Sequence, residues 1–421
     1  MNITKLTVND LNVAQKRVFV RVDFNVPMEE RDGKMVINDS TRIKETLPTL
    51  RLLISRGAKI ILASHLGRPK GKPEPSMSLR PVAALLAEML GRPVAFVEDC
   101  IGEKVAAAVA ALRAGDVLLL ENVRYYNQEE ANDPAFAAQL AAVADVYVND
   151  AFGSAHRAHA STEGVARVIA RRGGQCAAGL LMERELQFLG QELEHPARPF
   201  VVILGGAKVS DKIKVIDRLL EKADSILIGG AMVYTFQLAL GHKVGKSLSE
   251  PDKKDVALAA LAKAKARGIQ FLLPSDDILA TGVATGKLNK KGKPVIEFQN
   301  VRLNAGGDIP DNEAGFDIGP ETSKRYTEII LQAKTILWNG PMGMFEDKRF
   351  AAGTLAVAQA VAEATTKHGA ISIIGGGDSV KALNQSGLAD KVTFMSTGGG
   401  ASLEFLEGQE LPGVAALTDK P

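Results

Sequence analysis

Two cysteines, Cys100 and Cys176, are all the thiol chemistry that these 421 residues contain. Neither has a histidine or second cysteine at ligand spacing, which excludes a disulfide framework and a zinc site. Excess charge of one sign is equally scarce. Lys and Arg total 51 against 49 Asp and Glu, a formal net charge of +2, so no overall field exists to hold a nucleic acid or an anionic membrane. Anion binding must come from local clusters. No apolar run approaches the roughly 20 residues needed to cross a bilayer. The opening "MNITKLTVND" lacks a basic segment followed by an apolar one, so the expectation is a cytoplasmic chain in a reducing compartment. No G-x-G-x-x-G follows an apolar run, which argues against a nicotinamide dehydrogenase.

What is present describes a well-buried globular protein, with 46% hydrophobic and 24% charged residues. At about 150 residues per domain the length allows two or three, and two is the simpler reading. The first half repeats a short apolar run closed by polar residues: "RVFVRVDFN", "KIILASHLGRP", "DVLLLENVRYY" and "DVYVNDAFGSAHRAH", with helical stretches between. Runs of β-branched residues and leucine without alternation suit strands buried on both faces, hence a parallel α/β sheet. In the second half "FVVILGGAK", "SILIGGAM" and "ISIIGGGDS" close on glycines, and "TILWNGPMG" ends on Asn339-Gly340-Pro341. The expected fold is α/β: two doubly wound, Rossmann-like parallel-sheet domains joined by an interdomain helix in "LLMERELQFLGQELEHPARP", with ligands at the carboxyl ends of the strands. The lysine-rich "GKLNKKGKPVIEF" contains glycine and proline and reads as a solvated hairpin without function.

At the strand ends of the first half stand Asp23 and Asn25, His65 and Arg68, Arg124, and His156, Arg157 and His159, while Arg42 opens a helix in "DSTRIKETLPTL". Guanidinium groups fork onto carboxylate or phosphate oxygens, so several at one sheet edge predict a small, multiply charged substrate. Asp23 and Asn25 are placed to meet a hydroxyl on it. Taken singly, each arginine is better read as a surface ion pair, and it is their shared position that changes the reading.

In the second half, glycine after a strand lets the backbone approach phosphate, and a following helix offers its N–H groups. "VVILGGAKVSDKIKVI" reads as a strand, two glycines and a helix opening with Lys208 and Lys212 one turn apart. Cations there oppose the helix dipole unless an anion lies between them and the backbone. Asp378, directly after Gly375, Gly376 and Gly377, is positioned to hold Mg2+ between nucleotide phosphates, its alternative being a plain helix cap. "GHKVGKS" ends like a P-loop but has three residues instead of four between its glycines, and is read as a loop.

Together "RVDFNVP", "DSTRIKETLPT", "SHLGRPKG", "LLLENVRYY", "NDAFGSAHRAHAS", "LGGAKVSDKI", "GKSLSE", "DIGPETS", "WNGPMGMFE", "GGGDSVKA" and "STGGGASLEFLEG" resemble the phosphoglycerate kinase family, in order and across nearly the whole chain. The resemblance implies reversible phosphoryl transfer between 1,3-bisphosphoglycerate with ADP and 3-phosphoglycerate with ATP, with Mg2+, in a protein expected to be monomeric. It implies a 3-phosphoglycerate site of Asp23, Asn25, Arg42, His65, Arg68, Arg124 and Arg157 in a domain spanning 1–180. The nucleotide site it implies is Lys208, Lys212, Asn339, Pro341, Gly343, Glu346, Gly375, Gly376, Gly377, Asp378 and Ser379, in a domain spanning 198–402. Asp378 would meet the metal and Glu346 the ribose. Residues 181–197 would form the interdomain helix, and 403–421 would pack back on the first domain.

The nucleophile in the ATP-consuming direction is a carboxylate already ionised at pH 7, so no general base is required. Positioning and charge neutralisation remain, and the expected catalytic groups are Arg42, Lys208, Lys212 and the N–H groups of Gly398 and Gly399. Reactants on two domains can meet only by domain closure, with hinges expected in the helix from Leu181 and near Ser396 to Ser402. A two-domain protein that clamps an anion without reacting it is the competing reading. It has no need of a glycine-rich nucleotide half. A catalytically dead relative would be expected to lose Arg42, Lys208 or Asp378, and all three are present.

Overall fold

In the computed structural model, which describes residues 4–289 and 292–421, the chain divides into two compact units. One comprises the chain up to Gln191 together with Gly400–Pro421, the other Glu192–Gly399. Lys290 and Lys291 of the lysine-rich stretch lie outside the described residues.

The first unit is built on a six-stranded sheet in the order Ala95–Val97, Val117–Leu120, Lys59–Ala63, Arg17–Arg21, Val146–Asn149, Cys176–Ala178, with every pairing parallel. Its central strand buries Val18, Phe19, Val20 and Arg21, and helices on the faces explain why no alternation is seen. Thr41–Ser55 contributes Ile43, Leu50 and Leu53 to the core, and Arg80–Leu90 contributes Val82 and Leu86. The latter helix carries Pro81 in its first turn and stops at Gly91 with φ +64°, the expected asymmetry of helix ends.

The C-terminal segment belongs to this unit. Leu6 N–H donates to the Thr418 carbonyl at 2.8 Å, and Thr418 N–H donates to Cys176 at 2.9 Å, next to the edge strand. Leu411, Ala416 and Leu417 are buried and Phe405 meets Phe152 edge-on at 6.1 Å, which identifies the surface that the apolar residues of "LEFLEGQELPGVAAL" cover.

The second unit carries six parallel strands in the order Gln270–Leu272, Ser225–Ile228, Phe200–Leu204, Thr335–Asn339, Ile371–Gly375, Phe394–Met395. In chain order of these strands this is 3-2-1-4-5-6, and the reversal lies between Phe200–Leu204 and Thr335–Asn339. Ligands of such sheets bind at that reversal, outside the carboxyl ends. An antiparallel three-stranded sheet, with Asp277–Leu288 between Pro294–Asn304 and Ala314–Ile318, is inserted before the fourth strand. Its two longer strands, largely exposed, contain residues 286–288 and 294–298 of the lysine-rich stretch.

The helix expected from Leu181 begins at Leu180 and is α-helical to Leu186, then widens to a π-helical stretch over Gln187–Glu192. Asp150 Oδ1 accepts the N–H groups of Leu181 at 3.0 Å and Met182 at 3.2 Å, satisfying two donors of the first turn. The chain changes unit at 191/192, inside the π-helical stretch, and again at 399/400. Wide turns of this kind often mark functional positions in helices.

Candidate active site

In the first unit, the residues after four adjacent strands of the sheet face a common basic cluster. Asp23 Oδ1 accepts from Arg42 Nη1 at 2.8 Å and from the Asn25 N–H at 3.1 Å. Asn25 Oδ1 in turn accepts the Gly67 N–H at 2.9 Å, and Arg124 Nη1 donates to the Gly67 carbonyl at 3.0 Å. The loop carrying His65 and Arg68 is therefore tied to its neighbours on both sides. Arg124 is buried and its Nε has no hydrogen-bond acceptor, while Arg157 and Arg68 are exposed.

Burial pushes the His65 imidazole well below its ordinary pKa, with Arg21, Arg124, Arg42 and His159 adding to the shift. His159 is pushed down to about 4 by burial and by Arg124, Arg21, Arg157 and His156. Both rings are thus neutral at pH 7 and act as hydrogen-bonding groups, leaving the positive charge to the guanidinium groups. Such a cluster suits a compact polyanion.

Sequence reading passed over Arg21 and gave His159 no role. The signal for Arg21 was available: an arginine inside an apolar run destined for a parallel sheet is a buried charge, and buried charges require partners.

In the second unit a cavity of ≈ 430 Å3 opens at the carboxyl ends of the strands, lined by Gly206, Pro341, Gly343 and Asp378 among others. Beside it Lys212 donates to Asn339 Oδ1, while Asn339 Nδ2 is buried without a partner. Burial pushes the Lys212 ammonium down to about 8, against the opposing pull of Asp211 and Asp378. A poised lysine, an orphan amide donor and a carboxylate thus meet at one place.

The expected helix start is not found. Residues 205–212 form an irregular loop, and the helix spans Ile213–Leu219 with Lys212 as its cap residue. Val209 is buried, and the Lys212 N–H closes a turn onto its carbonyl at 2.9 Å, so the chain bends inward before helix can form. Lys212 is consequently buried and fixed, whereas Lys208 is exposed on the loop and is not one helical turn above it.

The glycines also divide into two kinds. A Cβ on Gly205 would lie 1.9 Å from the Pro341 carbonyl oxygen, and one on Gly340 would lie 2.3 Å from the Gly205 carbonyl oxygen. These two let neighbouring strand ends approach each other. Gly377 instead borders open space at the start of the helix Gly377–Ser386, while a Cβ on Gly376, with φ +86°, would touch Asn339 Oδ1 at an ordinary 3.4 Å. Ser379 is fully buried and its hydroxyl accepts the Gly340 N–H at 2.7 Å, which holds the loop. Glu346 is exposed and does not line the cavity, and neither do Gly398 and Gly399.

Tyr234, Lys246 and Phe316 line the cavity although no motif assigned them. Lys246 lies in the stretch read as a mere loop because of its P-loop mismatch. Among the described residues no group of three or more His, Cys, Asp or Glu side chains could hold a metal by itself. A cation at Asp378 would need ligand phosphates to complete its shell, as Mg2+ at nucleotide sites does.

The family model for phosphoglycerate kinase matches residues 8–409, which takes in both units. The phosphoglycerate kinase of Acidobacterium capsulatum is 55% identical over 424 aligned positions, covering 99% of this chain and all of the relative. That of Chloroherpeton thalassium is 53% identical over 415, covering 99% of each. The solved structure of phosphoglycerate kinase from Coxiella burnetii superposes with a TM-score of 0.83 at 40% identity, covering 98% of each chain. For the Pyrococcus horikoshii enzyme the TM-score is 0.75 at 34% identity, again with 98% of each covered. With matches that run through both sheets and their strand-end loops, the chain belongs to the phosphoglycerate kinase family.

Proposed function

We propose that this kinase holds 3-phosphoglycerate at the basic cluster of the first unit and ATP in the glycine-lined cavity of the second, and moves a phosphoryl group directly between them. The single observation that carries the reading is the family match over residues 8–409, which spans both sites. Asp23 and Asn25 would meet the triose hydroxyl, His65, Arg68, Arg124 and Arg157 its phosphate, and Arg42 the reacting carboxylate. Lys212 and the Asn339 amide would hold phosphate oxygens, with Pro341, Gly343 and Gly375 to Gly377 shaping the cradle. Glu346 would reach the ribose, and Gly398 and Gly399 would offer N–H groups to the group in transit.

The attacking carboxylate is ionised at pH 7, so the protein's task is in-line alignment and neutralisation of charge on the equatorial oxygens. Asp378 is the residue to hold Mg2+, which supplies charge neutralisation across the phosphates when bound. Arg42 stabilises the attacking carboxylate's oxygens while Lys208 accompanies the phosphoryl group.

The reactants belong to different units, so transfer needs closure, which also removes water that competes for the phosphoryl group. The hinges would be the helix from Leu181, with its π-helical stretch, and the segment Ser396 to Ser402. Small-angle scattering should then show compaction when both substrates are added. An unchanged radius of gyration contradicts closure.

Lys212 gives the nucleotide site a pH dependence. Its free-state pKa of about 8 lies below the value it takes beside phosphate, so binding takes up a proton once pH exceeds 8. ADP affinity should be constant below pH 8 and weaken by up to about tenfold per pH unit above it, as calorimetric titration between pH 7 and 9.5 would measure. Lys212→Met should bind more weakly at pH 7 and lose that slope.

The functional reading is tested by a coupled assay with ATP, Mg2+ and 3-phosphoglycerate and a metal-free control. Turnover that requires all three supports it, and binding of both ligands without turnover reduces the protein to a clamp.

A further inference from the structure

Beneath the basic cluster runs a chain of buried polar groups whose directions chemistry fixes. Arg21, 1% exposed at the end of the central strand, has no carboxylate among the described residues in direct contact. Its Nε donates to Ser161 Oγ at 2.7 Å, its Nη1 to the Val22 carbonyl, and its Nη2 lies 3.1 Å from His65 Nδ1. A guanidinium can only donate. His65 Nδ1 must therefore carry the lone pair, and the proton of the neutral ring sits on Nε2.

The same rule sets the other end. Ser161 Oγ receives Arg21, so its own proton goes to Glu129 Oε1, 2.5 Å away, and the Ser161 N–H donates to Glu129 Oε2 at 3.0 Å. Glu129 is fully buried in the short helix Asn127–Glu130. Within this relay it is the carboxylate that balances the Arg21 charge.

We propose that Glu129 is a positioning residue for the triose site: through Ser161 and Arg21 it orients His65 as a neutral Nε2–H donor toward the substrate's phosphate. The inference rests on the assignment of His65 to the 3-phosphoglycerate site. Without Glu129 the Ser161 hydroxyl loses its acceptor and Arg21 its counter-charge, and the imidazole is no longer held in one tautomer. Glu129 touches no reacting atom, so the consequence falls on substrate affinity and not on the transfer step.

The test uses the whole protein and three variants, Glu129→Gln, Ser161→Ala and, as control, His65→Ala. With six histidines in the chain, the His65 ring can be followed by nitrogen and carbon NMR. The parent should show only the Nε2–H tautomer, and Glu129→Gln and Ser161→Ala should each introduce an Nδ1–H fraction. Both should raise KM for 3-phosphoglycerate about tenfold, with kcat and KM for ATP within about twofold. Because they break one relay, the double variant should be no worse than either single one. If Glu129→Gln fails to fold, Ser161→Ala, which leaves the carboxylate in place, decides. An unchanged tautomer, additive losses, or equal losses in both KM values overturn the proposal. If His65→Ala leaves the triose KM unchanged, the site assignment itself fails and the proposal falls with it. If His65→Ala raises that KM while the other two variants do not, only the relay is wrong.

Discussion

Replacing Lys208 by alanine is expected to lower kcat by about 10²–10³-fold, the loss typical of removing one donor that stabilises transition-state charge. Binding of 3-phosphoglycerate should stay within about twofold of the parent, because such a group is used in the transition state and not in ground-state affinity. Lys208 is exposed on the loop after Phe200–Leu204, and no carboxylate among the described residues pairs with it. Lys212, by contrast, is buried and bound to Asn339. A fixed lysine suits the resting phosphates and a free one suits a group that changes position. Exposure also means that the substitution removes no packing, so a loss of turnover without a change in thermal midpoint is the informative combination. The coupled assay and calorimetric titration of the triose measure both halves, and undiminished turnover would remove Lys208 from the transition state.

For Arg68→Ala the weakness should appear in binding. A hydrogen bond between charged groups contributes about 1.5–3 kcal/mol, so the dissociation constant of 3-phosphoglycerate should rise roughly 10- to 100-fold. Nucleotide affinity should be unaffected, since Arg68 lies in the first unit, on the loop after Lys59–Ala63. Among the arginines of the cluster it is the cleanest to remove. Arg42 is paired with Asp23 and Arg124 is bonded to the Gly67 carbonyl, so their loss also frees a partner. Arg68 is exposed and has no carboxylate partner among the described residues. An unchanged triose dissociation constant would take it out of the site.

The parts of this molecule that were legible in the sequence are those governed by short-range chemistry. Unalternating apolar runs marked strands covered on both faces, and polar residues closing those runs, such as Asp23, His65 and Arg124, marked the carboxyl edge of the first sheet. The loop at 205–212 was misread because its composition allows helix, while the burial of Val209 and Lys212 bends the chain inward. Helix propensity is a weak prior against that kind of packing. Gly205, in "GGAK", looked like a phosphate contact, and only the fold reveals that it and Gly340 make room for each other. Tyr234, Lys246 and Phe316 come to one cavity from segments more than ten residues apart with no shared pattern. Their meeting is a property of the fold, and local sequence carries no trace of it.

Whether phosphoryl transfer runs directly from one site to the other is decided by where the label goes in a single turnover. The protein, in excess over γ-32P-labelled ATP and with Mg2+ and 3-phosphoglycerate present, would be quenched within milliseconds and its products separated. Direct transfer predicts that label leaves ATP and appears at the same rate in an acyl phosphate that hydroxylamine destroys, with none on protein and none as inorganic phosphate. Label trapped on the polypeptide, or released as inorganic phosphate as fast as ATP disappears, would contradict it.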